Sequence, residues 1–105
     1  MAVVIAGVFP GADIDAYRQV HRRIAESAPA GLLIHTAGIA DGALRVVDVW
    51  ESPEAFQSFV DTRLGPALAE TAMAGAQPDI TMWELGNVWA PGAPALAEMD
   101  NFALR

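Results

Sequence analysis

The chain contains no cysteine, which excludes a disulfide framework, a thiolate metal site and a cysteine nucleophile together. Positive charge is almost as scarce: 6 basic residues stand against 13 acidic ones, a formal charge of −7. Such a chain has little with which to neutralise phosphates, so nucleic acid is not an expected partner. No run approaches the ~18–20 apolar residues of a membrane span, so no membrane partner is expected either. The first residues are apolar only briefly and lack a basic stretch before them, unlike a secretory signal. These absences predict a soluble cytoplasmic protein. At 105 residues it is one domain, with enough length for one core.

What the chain does have is an apolar hairpin. Gly31 to Ser52, GLLIHTAGIADGALRVVDVWES, reads as two strands joined at Asp41-Gly42. Asp-Gly between apolar runs favours a type I′ turn, whose two central residues both need positive φ. With Ala40 facing Ala43, Leu33 faces Trp50, His35 faces Asp48, Ala37 faces Val46 and Ile39 faces Leu44. Ile34, Thr36, Val47 and Val49 lie on the opposite face. Neither face is polar, so the hairpin should be covered on both sides, with a histidine beside an aspartate in the buried region.

Flanking elements complete a β-α-β-β-α-β order. Residues 2–9 and 79–89 supply the outer strands. Asp13 can cap a helix running to about Ala28, with Ile14, Tyr17, Val20 or His21, and Ile24 along its inward stripe. Ser52-Pro53-Glu54 opens a second helix with Phe56, Phe59, Val60, Leu64 and Leu68 inward, and Gly65-Pro66 should kink or break it. Two crossovers sharing a central hairpin give an α+β, ferredoxin-like domain over residues 1–89: a four-stranded antiparallel sheet with both helices on one face. Residues 90–105 form a tail, apolar at Leu96, Met99, Phe102 and Leu104, expected to pack on the barrel or on a partner. Two helices cover one face only. The second cover should be another copy, giving a homodimer through the sheet face and a two-chain α/β barrel. Bulk then turns Leu33, His35, Ala37, Asp48 and Trp50 toward the helices, lining one cavity.

The element order, the GLLIHTAG strand, the VVDVWESPEAF junction and the terminal ELGNVW resemble the dimeric α/β-barrel proteins, and most closely their antibiotic-biosynthesis-monooxygenase-like branch. The resemblance spans residues 2–89. It implies cofactor-independent chemistry, an oxygenase or cyclase acting on an aromatic polyketide-like small molecule whose own carbanion or phenolate reduces dioxygen. Such a protein needs an apolar pocket, a base, and donors for the developing oxyanion. Relatives often carry a histidine where this chain has Gly86. Other members of the superfamily bind or transform quite different molecules, so a non-catalytic small-molecule-binding or stress-associated dimer stands as the alternative.

The residues themselves point to His35 with Asp48 as catalytic base dyad. A carboxylate beside an imidazole fixes its tautomer and strengthens it as a base, although the same pairing equally satisfies a buried histidine. Tyr17 and His21, four apart on one helix face, are candidates for substrate contact, or for core and boundary positions. Trp50, Phe56, Phe59 and Trp83 can wall an aromatic site or simply fill the core. Asn87 can donate to an enolate oxygen or bond across an interface, and Arg63 can hold an anionic group or point to solvent. Neither a phosphate-binding glycine loop nor metal-ligand spacing is present, so neither cofactor nor metal is expected.

Overall fold

Asp41 and Gly42 both take positive φ, 52° and 72°, the geometry that folds β2 (Leu32–Ala40) straight back on β3 (Ala43–Trp50). The computed structural model describes residues 1–96 and 99. β1 (Val3–Pro10) pairs antiparallel with β3, and β4 (Asp79–Glu84) pairs antiparallel with β1, so the sheet runs β2-β3-β1-β4. This is the ferredoxin-like α+β arrangement. β4 is shorter than the pattern over residues 79–89 predicts. Its last rung, Leu85 N–H to the Ala2 carbonyl at 2.9 Å, lies just outside the paired residues of β1 and β4.

Between β1 and β2 lies α1 (Ile14–Ile24), capped by the Asp13 carboxylate accepting from the Ala16 N–H at 2.8 Å. It stops four residues short of Ala28. Pro29 disfavours helical backbone just before it, and the Arg63 guanidinium donates to the carbonyls of Ile24 and Ser27 there. After β3 the chain enters α2 (Pro53–Phe59), capped by Ser52, whose hydroxyl oxygen accepts from the Ala55 N–H. Gly65-Pro66 does not break this run. The helix widens through one π turn, Val60–Leu64, in which the Gly65 N–H reaches back to the Val60 carbonyl, and it continues as α3 (Gly65–Ala69). A wider turn accommodates both the proline ring and its missing donor. A short α4 (Ala93–Leu96) follows the joint; Leu96 and Met99 are exposed, and the expected packing of Phe102 and Leu104 lies outside the described residues.

The helices cover one face. Val3, Ile5, Trp50 and Phe59 form one buried cluster, and Phe9, Val20, Leu44, Ala67 and Met73 another. The opposite face stays open, with Ile34, Val47 and Trp83 each 43–48% exposed. Hairpin register follows the expected pairing from Ile34↔Val49 to Ala40↔Ala43, then slips: Leu32, not Leu33, faces Trp50. Leu33 is the extra residue of a bulge and is 56% exposed, which removes it from the helix-facing set.

Just before β2, Gly31 holds φ +87°, and a Cβ there would sit 2.6 Å from that of Ala55. Its carbonyl also accepts from the Glu51 N–H at 2.8 Å, tying β2 to the β3–α2 junction. Gly31→Ala is therefore expected to destabilise the fold by ~1–3 kcal/mol, read as a lower urea midpoint; an unchanged midpoint would contradict this strain argument.

Candidate functional site

Asp48 is the one buried charged residue among the described residues. An ionised carboxylate tolerates that position only with partners, and it has two. The His35 ring meets Oδ1 through Nδ1 at 2.7 Å, and Trp50 donates its indole N–H to Oδ2 at 3.3 Å. Both contacts come from strand geometry. Residues 48 and 50 share a face of β3, and His35 is the register partner of Asp48 on β2. A carboxylate only accepts, so in the neutral ring the His35 proton sits on Nδ1 and Nε2 is left as acceptor.

That acceptor is filled. The Tyr17 hydroxyl of α1 lies 2.7 Å from His35 Nε2 and 3.3 Å from His21 Nδ1. The three rings are within 22° of parallel, with centroids 5.4–6.1 Å apart. The result is a continuous chain of contacts, Trp50–Asp48–His35–Tyr17–His21, leading from the core outward. Side-chain exposure rises along it: Asp48 is 8% and His35 24% exposed, and His21 lies on the surface. Chemically, the chain presents a carboxylate-oriented imidazole in one tautomer, with a phenol on its accepting nitrogen.

The structure gathers Tyr17, His21, His35 and Asp48 as one group, but not the other candidates. Trp50 is 0% exposed, so it packs the core and orients Asp48 instead of walling a cavity. Phe59 is buried against its ring at a centroid distance of 5.1 Å, and Phe56 meets it edge-on at 5.7 Å. Trp83 is the register partner of Val4, as is Val49, which places it on the open face away from the dyad. Asn87 lies past the end of β4 and is exposed. Arg63 is spent on the carbonyls of Ile24, the last residue of α1, and of Ser27 just beyond it. A single cavity lined by Leu33, His35, Ala37, Asp48 and Trp50 is therefore not formed. Two surface hollows, of about 480 and 290 Å³, lie beside Asp13, Arg18 and Ile39 and beside Arg63 and Glu70; neither is lined by His35 or Asp48.

Sequence reasoning missed two contacts. The Asp48–Trp50 bond was legible, since alternate residues of a strand share a face. The Tyr17–His35 bond was not: the helical stripe turns Tyr17 inward but says nothing of which strand residue it meets. Among the described residues no group of three or more His, Asp or Glu converges as a metal site, and no helix is long and apolar enough to cross a membrane.

Fold and site define a ferredoxin-like α+β protein with a buried carboxylate–imidazole–phenol chain between sheet and first helix. Solved structures share this fold. SnoaB from Streptomyces nogalater, a cofactor-independent oxygenase, matches 83% of this chain and 95% of its own, with a TM-score of 0.61 at 13% identity. Rv0793 from Mycobacterium tuberculosis matches 84% and 98%, with a TM-score of 0.65 at 13% identity. A candidate antibiotic biosynthesis monooxygenase from Caulobacter crescentus CB15 matches 82% and 91%, with a TM-score of 0.64 at 16% identity. The chain thus has the fold of the antibiotic-biosynthesis-monooxygenase-like proteins. No family model and no curated protein matches it by sequence.

Proposed function

We propose that this chain is a cofactor-independent oxygenase or cyclase acting on a hydroxylated aromatic, polyketide-like small molecule, with His35–Asp48 as its base. The observation that carries this reading is the His35 Nδ1 to Asp48 Oδ1 contact of 2.7 Å, made by a buried carboxylate and a part-exposed ring. A ring so held presents one tautomer, and the carboxylate stabilises the imidazolium formed when it takes a proton. Deprotonation leaves the substrate as an electron-rich enolate or phenolate that itself reduces dioxygen, so the protein supplies only a base and an apolar bed. SnoaB, with the same fold, is a cofactor-independent oxygenase, which supports the class of chemistry. The test is oxygen uptake and product analysis with a panel of hydroxylated polycyclic aromatics, without added flavin, haem or metal. Uptake with a carbonyl-bearing product is expected.

A second reading has an observation of its own. Both ring nitrogens of His35 are already bonded and the two surface hollows avoid it, which favours a non-catalytic binding protein. Saturable binding of an aromatic by wild type, without uptake or product, would decide for it.

The working form in either case is a homodimer through the open sheet face. Ile34, Val47 and Trp83 form an apolar surface there with Val4 and Val49 between them, of the kind that association buries. Val47→Glu is expected to yield a folded monomer by light scattering, with unchanged circular dichroism, because a carboxylate in that interface would lack a partner. A wild-type monomer at micromolar concentration would remove the dimer.

A further inference from the structure

The geometry points to Tyr17, not His35, as the residue that exchanges the proton with the bound molecule; His35 and Asp48 act through it. This rests on the base reading above and assigns its missing contact. His35 has two ring nitrogens, one held by Asp48 and the other by the Tyr17 hydroxyl, each at 2.7 Å. A molecule giving its proton to His35 must therefore displace Tyr17 or pass the proton through it. Displacement is costly. The Tyr17 ring packs on the buried cluster of Phe9, Val20 and Leu44, and its hydroxyl also lies 3.3 Å from His21 Nδ1. Transfer is short by comparison. The phenol oxygen sits on the accepting nitrogen of the imidazole, and its ring is only 11° from the plane of the His35 ring. Parallel rings stacked face to face stand about 3.5 Å apart, and a 2.7 Å oxygen–nitrogen contact is shorter than that. The two parallel rings are therefore offset, not face to face, with the hydroxyl at the accepting nitrogen.

The step balances as a two-proton relay. The C–H or O–H bond of the molecule breaks and its proton joins the Tyr17 oxygen. The former Tyr17 proton moves to His35 Nε2, and the electron pair stays on the molecule as its enolate or phenolate. Tyr17 ends neutral, and His35 ends as a cation against the Asp48 carboxylate. Concerted transfer matters here, because an isolated phenol holds its proton far more tightly than an imidazolium does. No free tyrosinate has to form.

Anthrone, a tricyclic ketone with one acidic CH2, isolates this step when kept free of oxygen. Tritium at that carbon is released to water only on deprotonation. Wild type is expected to accelerate release, more slowly in D2O than in H2O, because the Tyr17 O–H proton is in flight. Tyr17→Phe should lower the saturated rate by ~10²-fold with little change in the half-saturating concentration. His35→Gln should lower it similarly, and the double variant should be no worse than either single change, as for residues that act as a unit. A Tyr17→Phe rate equal to wild type would overturn the relay while leaving His35 as base. So would wild-type release without a solvent isotope effect, a result that needs no variant to fold. No release above buffer from wild type would overturn the base reading and the relay together.

Discussion

His35→Ala is expected to lower turnover of a hydroxylated aromatic by ~10²–10⁴-fold while leaving the fold intact. The rate argument is the tautomer. Asp48 accepts from Nδ1, so His35 Nε2 is the atom toward which protons flow. Without the ring the Asp48 carboxylate keeps only the Trp50 indole N–H, on Oδ2, as a side-chain donor. The fold argument is position. His35 sits on β2, the edge strand, with its side chain a quarter exposed, so its loss opens little core. Steady-state kinetics beside circular dichroism separates the two, and a fully active, folded His35→Ala variant would end the case for a base at this position. Asp48→Asn should cost less in rate, because an amide oxygen still accepts from Nδ1. It also sets its NH2 against the Trp50 N–H, two donors with no acceptor between them, at a stability cost of ~1–3 kcal/mol.

The depth to which the sequence could be read followed the range of the signal. Asp41-Gly42 specifies its own turn, and from that turn the pairing counts outward correctly as far as Ile34↔Val49. It fails at Leu33 because a bulge is one unpaired residue with no mark in the local pattern. The caps of both helices were equally local, Asp13 and Ser52 each serving the N–H three residues on. The side that Trp83 takes was beyond reach for a different reason: alternation says which residues share a face, and only the assembled sheet says which face the helices take. The fate of Arg63 was beyond reach, since its partners Ile24 and Ser27 lie 39 and 36 residues away. The candidate site mixes the two ranges. His35–Asp48 came from the turn, whereas Tyr17 reached it only when α1 settled on the sheet.

Trp50→Ala is expected to lose ~3–5 kcal/mol from the emptied core alone, a large fraction of what holds a small domain together. Trp50 is 0% exposed and packs with Val3, Ile5 and Phe59 in the buried cluster. Its indole N–H is also one of the two partners of Asp48, so the variant strands a buried carboxylate oxygen as well. Trp50→Phe shifts the balance between the contributions, because it keeps most of the packing while removing the donor and part of the indole ring, for ~1–3 kcal/mol. Urea unfolding followed by far-ultraviolet circular dichroism gives both values, and a Trp50→Ala loss under ~1 kcal/mol would refute the packing account. Trp50→Phe carries the more informative second measurement. With its Oδ2 unheld, the Asp48 carboxylate can turn about its own axis, and the imidazole it orients turns with it. A folded Trp50→Phe variant should therefore turn over more slowly at unchanged apparent affinity, the mark of a side chain that works on the reaction through the carboxylate it anchors.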